Sequence, residues 1–512
     1  MTKSIVWFKK DLRIPDNAAL AKAAASGQVC CIYIVEPSLW RSPDASTQHY
    51  EFVLESLRDL YLALKRLGAT LHVLTGEACE VLARLHAHTK FDTLYSHQET
   101  GNYASYARDR AVKAWCKSKG IAWHEPIQSG VFRGKLNRDE WQERWNQHNG
   151  EALVTAPERI ESFSPPNEWG KPPTAEQLGI NPLNPPKRQR GGRTQALEVL
   201  NDFLNHRSET YRGGISSPLT APTACSRISP YLTYGCVSIR EVFQSVAYAI
   251  ESEVTENSRR AKGLSSMISR LYWHCHFIQK LESEPELEFQ NMHRGYDGLR
   301  EEDWDDAKFQ ALSEGRTGWP MVDACIAMLK HTGWINFRMR ALIVSTAAYP
   351  LWLHWKPVGN WLAQHFLDYE PGIHWSQMQM QSGTTGINIP RIYNPIKQAQ
   401  DHDPKGIFVR KWIPVLRQVP DVWIFEPWSI PDDLTRKVSK VSLPEIVRPI
   451  VDLETATRAA KQKLFERRAR PEVSAEKSAV LIKHGSRKRP TRRTKARRIE
   501  SSSPSVQHTF DF

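Results

Sequence analysis

The sequence predicts a two-domain protein, with an α/β N-terminal domain on a doubly wound parallel sheet and an all-α domain after it. The chain has 512 residues, which is long for a single hydrophobic core. Over residues 1–130, short apolar runs alternate with helical patterns, which is typical of α/β domains. From residue 193 to about 430, apolar residues recur at helical spacing and strand signals are few. We place the helical domain at 193–466.

Five short apolar runs in the first domain have the composition of buried parallel strands. In chain order they read SIVWF, VCCIYIV, TLHVL, DTLYS and IAWHE. Strands that are covered by helices on both faces are apolar throughout rather than alternating. No GxGxxG follows the first run, so the fingerprint of a nicotinamide dinucleotide site is absent.

The clearest helix of this domain is predicted at 46–67. Ser46 and Thr47 are suitable N-caps, and Gly68 is suited to end the helix. The apolar residues of the helix share one face. They are Tyr50, Val53, Leu54, Leu57, Leu60, Tyr61 and Leu64.

The segment WFKKDLRIPDNAAL follows the first predicted strand. Arg13 and Asp16 are spaced to pair across a tight turn, and Asn17 is placed to cap the next helix. Residue types alone indicate a structural turn.

Two segments are predicted to lie outside the folded domains. Residues 131–192 are polar and rich in proline, which predicts a linker over the surface. Residues 467–512 are predicted to be a disordered tail, because 467–498 hold 13 lysines and arginines against two acids and a serine-rich stretch follows. Most of the net charge of +13 lies in this tail, where it would bind nucleic-acid phosphates without sequence preference.

Composition argues against several classes of protein. No run of 18 apolar residues offers a membrane span, and the start MTKSIVWFKKDL lacks the apolar core of a signal peptide. The eight cysteines form no CxxC pair and none follows Cys325, which argues against a disulfide frame, a zinc site or a late iron–sulfur cluster. The 18 tryptophans fit either a large core or a protein that handles electrons or stacks on flat rings.

Three segments of the helical domain contain side chains that could bind a ligand or take part in catalysis. In CSRISPYLTYG, at 225–235, two serines flank an arginine, which fits a phosphate cradle or a plain helix cap. In WHCHF, at 273–277, adjacent residues point about 100° apart on a helix, so they do not converge on one metal ion. In LDYEPGIH, Asp368 and Glu370 suit either general acid–base catalysis or salt bridges to Arg340.

A fourth segment, HWSQMQMQSGTTG at 374–386, sets a histidine and two methionines beside a glycine-threonine turn. It fits a metal site, a phosphate loop or the wall of a cofactor pocket. Residue types alone leave all three interpretations open.

Taken in order, six motifs resemble those of the photolyase/cryptochrome family. They read WFKKDLRIPDN, CSRIS, EGRTGWPMVDA, TGWINFRMR, LDYEPG and RIYNPIKQAQDHDPKGIFVRKWIP. The similarity covers about residues 4–430. It implies an α/β domain that often holds an antenna pigment, and a helical domain that folds FAD into a U shape. It also implies that 374–386 form the back wall of the flavin pocket.

The resemblance assigns FAD contacts to residues in these motifs. Arg340 and Asp368 match a salt bridge beside the isoalloxazine ring, and Glu370 takes the place of a second acid that hydrogen-bonds the ring edge. His374 falls where DNA-repairing relatives have the asparagine that faces flavin N5, so its protonation would tune the flavin redox state. Cys225 stands where a threonine is usual. The expected cofactor contacts are Tyr211, Cys225, Ser226, Arg227, Ile228, Ser229, Arg340, Asp368, Tyr369, Glu370 and His374.

The resemblance also implies a relay of tryptophans that passes electrons to the flavin, and this chain departs from it. The Trp-x-Trp of most relatives is replaced by Met378 and Met380, and methionine offers no aromatic ring for a fast hop. Trp355 matches the middle member of the relay. The outer member falls on Glu302, two residues from Trp304. The residues expected to carry electrons are Trp355, Trp375 and Trp352.

The lesion pocket implied by the resemblance is altered as well. Arg270 stands where the family has a lesion-contacting glutamate. Phe337 takes the position of an asparagine in cyclobutane-dimer enzymes or of the first histidine in (6-4) enzymes, and Ala341 takes that of the second histidine. Trp273 matches a wall tryptophan and Gln398 matches a DNA-contacting glutamine. The expected DNA contacts are Arg270, Trp273, Phe337, Met380 and Gln398.

The function that the resemblance implies is that of a light-driven DNA photolyase, a carbon–carbon lyase. In such an enzyme, reduced FAD passes an electron to a pyrimidine dimer that has flipped out of UV-damaged DNA. The alternative is a cryptochrome-type blue-light photoreceptor, and a flavoprotein with chemistry unrelated to light is the third interpretation. We expect a monomer without membrane attachment, cytoplasmic in bacteria and nuclear if the source is eukaryotic.

Two further partners are expected. The segment SHQETGNYASYARD, at 96–109, lies where folate-type antenna pigments are held in relatives, with Glu99 as the candidate contact; a solvated helix start is the alternative. The chain ends in SSSPSVQHTFDF, where Phe510 and Phe512 resemble the anchors of peptides that dock onto bacterial sliding clamps. The alternative is that both rings fold back onto the body.

Overall fold

The N-terminal domain contains a five-stranded parallel sheet, which confirms the predicted fold class. The computed structural model describes residues 2–134, 136–165, 171–253, 255, 257–388, 390–431 and 448–485. The strands are β1 (Thr2–Phe8), β2 (Gly27–Val35), β3 (Leu71–Thr75), β4 (Thr93–Tyr95) and β5 (Ala122–His124). Their order is β3-β2-β1-β4-β5, so the winding direction reverses between β1 and β4. Such a reversal opens a crevice at the carboxyl ends of the strands, where ligands bind.

Helices cover this sheet, and the predicted helix at 46–67 is confirmed. The helices are α1 (Ala18–Ser26), α2 (Pro37–Trp40), α3 (Thr47–Arg66), α4 (Ala78–Thr89) and α5 (Tyr103–Lys119). Ser46 caps α3, and Gly68 follows its end with a φ of 87°. The apolar face of α3 is buried as predicted except at Leu54, which is partly buried, and Tyr61, which is 37% exposed.

The segment after β1 fastens the two domains together. Asn17 accepts a hydrogen bond from a backbone N–H of α1 at 2.9 Å and caps that helix, as predicted. Arg13 is buried and donates to the carbonyls of Asp16 at 3.0 Å and Gly235 at 3.1 Å, so its hydrogen bonds go to backbone rather than to the Asp16 carboxylate. Gly235 has a φ of 66°, and a Cβ there would lie 2.1 Å from the carbonyl oxygen of Lys10.

The predicted linker at 131–192 contains helices. They are α6 (Trp141–Gly150) and α7 (Ala175–Leu178). Trp141 and Trp145 are 1% and 2% exposed, and their ring centroids lie 5.1 and 5.5 Å from that of Tyr272 in the helical domain. The α6 part of this segment therefore packs against the helical domain.

The second domain is helical, and the part of it that the structure describes has no strand. A π-helical turn at Phe203–Arg207 joins its first two helices. The helices are α8 (Arg193–Asp202), α9 (Ser208–Gly214), α10 (Ala221–Ala224), α11 (Ser229–Thr233), α12 (Ile239–Glu251), α13 (Arg259–Ser283), α14 (Asp306–Glu314), α15 (Pro320–Thr332), α16 (Phe337–Ala348), α17 (Trp355–His365), α18 (Pro371–Ser382), α19 (Pro395–His402) and α20 (Ile407–Trp412).

One apolar core runs through both domains. Val6 and Phe8 of β1 belong to the same buried cluster as Tyr231, Val242 and Leu264 of the helical domain. The opposite face of the sheet and the interior of the helical domain have buried clusters of their own. Because apolar burial is the main favourable term in folding, the shared cluster makes the two domains one cooperative body.

Two helices follow at the end of the described chain, α21 (Leu453–Arg468) and α22 (Pro471–His484). The expectation of disorder from residue 467 is therefore wrong for 467–485. Val473 and Val480 of α22 are buried, and the His484 ring lies 2.6 Å from the Glu284 carboxylate. The two valines lie seven residues apart, so they share one face of the helix despite its polar composition.

The predicted polycation and the terminal Phe510 and Phe512 lie outside the described residues. Among the helices that the structure describes, none combines the length and the apolar character needed to cross a membrane.

Candidate cofactor and active site

A cavity of about 510 Å³ lies between α16, α18 and the chain that leads into α18. It brings together expected cofactor contacts from two motifs, TGWINFRMR and LDYEPG. The expected DNA contact Phe337 is also in its wall. The residues that line it are Phe337, Arg340, Ala341, Val344, Phe366, Asp368, Tyr369, Glu370, Ile373, His374, Gln377, Met378 and Gln381.

Arg340 and Asp368 form an ion pair in this wall. Nη2 of Arg340 lies 2.9 and 3.0 Å from the two carboxylate oxygens of Asp368, and the Ser229 hydroxyl donates to the same carboxylate at 2.7 Å. Nε of Arg340 donates to the Ile335 carbonyl at 2.8 Å, and its guanidinium lies 4.2 Å from the centroid of the Phe366 ring. Each end of the pair is thus held by a further contact, which fixes its orientation.

Four arginines exert their charge on the Cys225 thiol. They are Arg207, Arg227, Arg270 and Arg340, and we call them the arginine cluster. Burial raises the pKa of Cys225 to about 11, against the opposing effect of the four cations. Burial also lowers the pKa of Arg227 to about 10, and its side chain is held by Gln189 at 2.9 and 3.1 Å. Such a concentration of positive charge favours a multiply charged anion.

The other expected contacts of this region lie close to the arginine cluster. The Tyr211 hydroxyl hydrogen-bonds Arg270, and burial raises the pKa of Tyr211 to about 12. Ser226 is partly buried. Ile228 is 2% exposed and packs in the shared core, so only its backbone is available to a ligand.

Glu370 carries an unsatisfied acceptor in the cavity wall. Its Oε2 lies 3.8 Å from Nζ of Lys10, whereas its Oε1 is buried without a hydrogen-bond partner among the described residues. Burial raises the pKa of Glu370. Gln377 also lines the cavity, and its Nε2 is buried without a hydrogen-bond partner among the described residues. A ligand that offers both an N–H and an acceptor would satisfy these two atoms.

His374 is held as a neutral imidazole. Its Nε2 lies 2.9 Å from the Gly359 carbonyl, an acceptor, so Nε2 carries the proton and Nδ1 is free to accept. Burial lowers the pKa of His374 to about 3. In the ligand-free protein the ring is therefore uncharged at neutral pH, and the role of His374 beside a flavin stays a prediction.

Acid is expected to destabilise the protein through His374. The imidazole has an ordinary pKa of about 6.5 in the unfolded chain and about 3 in the folded one, so the unfolded state binds more protons below pH 6.5. Lowering the pH from 7 to 5 should reduce the free energy of unfolding in both proteins. The reduction should be about 2 kcal/mol larger in the wild type than in His374→Asn. Denaturant melts at both pH values measure this difference. The control is His331→Asn at an exposed position, which should follow the wild type; equal pH dependence for His374→Asn contradicts the prediction.

The residues expected to carry electrons lie behind this wall. Met378 is 2% exposed and lines the cavity. Trp375 and Trp355 are buried, with ring centroids 5.9 Å apart. Trp375 also lies 4.7 Å from the ring of His374. The two tryptophans therefore form a pair that reaches the wall through His374.

The third expected member is not part of the cavity wall. Trp352 is 8% exposed, and its Nε1 donates to Asp303 at 2.7 Å. Glu302 is exposed, and Trp304 packs on Phe309 with ring centroids 5.1 Å apart. These residues lie nearer the surface than Trp375 and Trp355.

The expected DNA contacts are only partly brought together. Phe337 lines the cavity, as does Ala341 at the second histidine position. Arg270 lies with Tyr211 in the arginine cluster rather than in this wall. Trp273 packs against Tyr272, His276 and Phe277, and Met380 and Gln398 are partly buried outside the wall.

A larger cavity, of about 860 Å³, lies at the carboxyl ends of β1 and β2. Glu99 lines it and is 8% exposed, whereas Tyr103 at the start of α5 is 47% exposed. Arg108 bonds Glu99 at 2.5 Å and Glu36 at 2.7 Å, and its guanidinium lies 4.8 Å from the ring centroid of Trp7. The cavity thus combines a flat aromatic surface with buried charges at the crevice of the sheet.

One contact of the site could not be found from the sequence. The hydroxyl of Tyr369 donates to Asp44 at 2.7 Å, and Tyr369 lines both cavities. The two residues are 325 positions apart and belong to different domains. Only the presence of a tyrosine inside the LDYEPG motif gives any signal.

Among the described residues, no group of three or more histidine, cysteine, aspartate or glutamate side chains is arranged to hold a metal ion.

Family models match both domains. The model described as DNA photolyase matches residues 4–133, and the model described as the FAD binding domain of DNA photolyase matches residues 267–466. The first match spans the parallel sheet, and the second contains every residue that lines the 510 Å³ cavity.

Known proteins are similar to this chain over most of its length. Cryptochrome-2 of Arabidopsis thaliana is 30% identical over 503 residues, covering 89% of this chain and 77% of that protein. The (6-4)DNA photolyase of the same plant is 26% identical over 501 residues, covering 90% and 88%. The crystal structure of a bacterial class III photolyase from Agrobacterium tumefaciens superposes with a TM-score of 0.78 at 25% identity, covering 92% of this chain and 98% of that one. The chain belongs to the photolyase/cryptochrome family.

Proposed function

We propose that the protein is a light-driven DNA photolyase that binds FAD in the helical domain and splits UV-induced pyrimidine dimers. The observation that carries this proposal is the cavity of 510 Å³ inside the matched FAD binding domain, with the Arg340–Asp368 pair in its wall and the arginine cluster beside it. A flavin ring and a diphosphate need these two environments next to each other.

The residues fit FAD by charge and by unsatisfied atoms. The arginine cluster would hold the diphosphate, because four partly buried cations lie there against two acids, Asp368 and the Asp202 that pairs with Arg207. Oε1 of Glu370, which has no partner in the described chain, would accept a ring N–H. The Arg340–Asp368 pair would set the ring plane, and Nδ1 of neutral His374 would offer a further acceptor.

The reaction divides between the cofactor and the chain. When bound and reduced, FAD supplies one electron to the excited-state splitting of the dimer and recovers it afterwards. The chain holds the ring at the cavity wall and excludes water with Phe337, Ala341 and Val344. An apolar wall of this kind also favours stacking of a flipped-out base. Gln398 and the basic end of the chain would add contacts to the DNA backbone.

The second cavity is proposed as the site of an antenna pigment, such as a folate. The buried Trp7 lines it, with Nζ of Lys9 4.9 Å and the Arg108 guanidinium 4.8 Å from the Trp7 ring centroid. A planar pigment with carboxylates would match this arrangement. Glu99 and Glu36 already engage Arg108, so the pigment would meet a rigid wall.

The proposal is tested with oligonucleotides that carry one cyclobutane dimer or one (6-4) product. Protein with bound, reduced FAD is mixed with each oligonucleotide under blue light and in the dark, and restored thymines are counted by chromatography. We expect light-dependent repair of at least one lesion. Undamaged oligonucleotide and the Arg340→Ala variant serve as controls. A protein that binds FAD and repairs neither lesion would contradict the photolyase function.

A cryptochrome-type photoreceptor is the second candidate. It is favoured by the position of Arg270, which bonds Tyr211 rather than facing the cavity, and by Trp273, which packs on its neighbours instead of lining the cavity. Both observations leave the cavity without the side chains that read a lesion in relatives. A light-driven change in flavin absorbance without repair of either oligonucleotide would support this candidate.

A further inference from the structure

Tyr369 forms part of the wall between the two cavities. Its side chain lines the 510 Å³ cavity of the helical domain and the 860 Å³ cavity at the sheet edge. Its ring centroid lies 5.2 Å from that of His374 and 6.4 Å from that of Trp375. Tyr369 therefore combines a place in the proposed flavin pocket with close aromatic neighbours.

The hydroxyl of Tyr369 has a proton acceptor in the other domain. It donates to Oδ2 of Asp44, between α2 and α3, at 2.7 Å. Asp44 also accepts hydrogen bonds from the Ser42 hydroxyl and, at 3.1 Å, from Nδ2 of Asn102. Burial alone would raise the pKa of Asp44, but these hydrogen bonds outweigh burial and lower it. Asp44 is thus a carboxylate at neutral pH, able to take a proton.

The tryptophans near the cavity lack such an acceptor. Nζ of Lys356 lies 3.6 Å from the ring centroid of Trp375, and its charge opposes a positive hole on that ring. Nε1 of Trp375 is buried without a hydrogen-bond partner in the described part of the chain. Nε1 of Trp355 donates to the amide oxygen of Asn291 at 2.7 Å, and an amide does not take up a proton near pH 7. A hole on either ring would remain as a buried, uncompensated charge.

Trp352 is disfavoured for a related reason. Its Nε1 does meet a carboxylate, that of Asp303, but the guanidinium of Arg300 and Nζ of Lys463 lie 4.4 and 4.9 Å from its ring centroid. It also lies outside the cavity wall. Of the aromatic residues compared, only Tyr369 both lines the cavity and donates a hydrogen bond to a carboxylate that can accept its proton.

We infer that Tyr369 is the electron donor to light-excited FAD, with Asp44 as its proton acceptor, in place of the tryptophan that Met378 replaces. This inference rests on the FAD binding proposed above. One electron passes from the Tyr369 ring to oxidised, excited FAD. The Oη–H bond breaks, the proton bonds to Oδ2 of Asp44, and a neutral tyrosyl radical remains. No net positive charge is left in the buried site.

The donor is reset by a soluble thiol. The thiolate gives one electron to the tyrosyl radical and becomes a thiyl radical, and the proton returns from Asp44 to the phenolate oxygen. Each cycle thus oxidises one thiol and reduces FAD by one electron.

The rate of FAD photoreduction under blue light, with dithiothreitol as the thiol, tests the inference. We expect Tyr369→Phe and Asp44→Asn to slow photoreduction at least tenfold while the protein keeps its bound FAD. The matched control is Tyr349→Phe, since Tyr349 is also buried but its hydroxyl has no hydrogen-bond partner among the described residues. It should react at the wild-type rate. Adding Met378→Trp to Tyr369→Phe should restore a fast rate, because it returns an aromatic ring to the wall.

Two spectroscopic measurements separate an electron donor from a structural residue. Electron paramagnetic resonance of the illuminated wild type should show a tyrosyl radical whose hyperfine splitting narrows with ring-deuterated tyrosine. The signal should be absent in Tyr369→Phe. In the flavin-free protein, carbon-13 tyrosine spectra should contain one resonance that disappears in Tyr369→Phe and shifts in Asp44→Asn.

Unchanged photoreduction in flavin-loaded Tyr369→Phe, or a tryptophan radical in the illuminated wild type, overturns the inference and leaves the proposed function standing. A wild-type protein that binds no FAD would contradict both the proposed function and the role of Tyr369. Photoreduction through Tyr369 without repair of either lesion removes the photolyase function alone.

Discussion

Replacing Arg340 by alanine is expected to weaken FAD binding. The change removes one of the four cations of the arginine cluster and leaves the Asp368 carboxylate without its ionic partner at the cavity wall. Arg340 is only partly buried, and a hydrogen bond to a charged group typically contributes about 1.5–3 kcal/mol, so the dissociation constant of FAD should rise about 10- to 100-fold. Flavin absorbance per protein after gel filtration, followed by titration with FAD, measures the loss.

Two further substitutions make this result specific. Arg340→Lys should retain part of the affinity, because lysine keeps the charge but not the planar donor geometry. Arg458→Ala serves as the control, since Arg458 pairs with Glu454 at 2.6 Å on an exposed face of α21. It should bind FAD like the wild type. Full flavin content in purified Arg340→Ala would show that the ion pair does not hold the cofactor.

Replacing Gly235 by alanine is expected to destabilise the protein by more than about 4 kcal/mol, an exceptional cost for one methyl group. Two penalties add at this position. The φ of 66° is strained for any residue with a Cβ, and the new Cβ would lie 2.1 Å from the Lys10 carbonyl oxygen, where the two domains meet. Because the obstacle is backbone, a side-chain rotation cannot relieve it. Thermal and denaturant unfolding measure the effect.

Gly120 provides a matched control for the Gly235 substitution. Its φ is 67°, almost equal to that of Gly235, but a Cβ there would meet nothing within 4 Å. Gly120→Ala should therefore pay only the conformational penalty, about 1–2 kcal/mol. Equal destabilisation by the two substitutions would mean that the backbone around Gly235 can move apart without lowering the free energy of unfolding.

The strands β1 and β2 were predictable because each contains a long, buried apolar run, whereas β5 has three residues, of which Ala122 and His124 are exposed. The helix α22 was not, because it lies in a strongly basic part of the chain and its buried Val473 and Val480 are accompanied by the exposed Leu481 and Ile482. The helix α6 was hidden because half of its buried residues are polar, with His148 and Asn149 buried beside Trp141 and Trp145. Sparse apolar contacts suffice when the rest of the protein already provides the surface to pack on.

Some features of the site were predictable from the sequence and others were not. The Arg340–Asp368 pair was predictable because both residues lie in motifs that resemble a known family. The neutral state of His374 was not, because its pKa depends on burial by side chains distant in sequence. The bond between Tyr369 and Asp44 joins two domains and leaves no trace in local spacing. Sequence reasoning thus recovers contacts within motifs better than contacts between domains.

The core that the two domains share has a consequence for how the chain is made. Val6 and Phe8 leave the ribosome early, but Leu264, a member of the same buried cluster, is synthesised about 250 residues later. At typical translation rates this interval is roughly 10–50 s. Throughout that time the nascent N-terminal half has a solvent-exposed apolar surface, which the later helices cover in the folded protein. We therefore expect a fragment that ends inside α13 to aggregate more readily than the full-length chain.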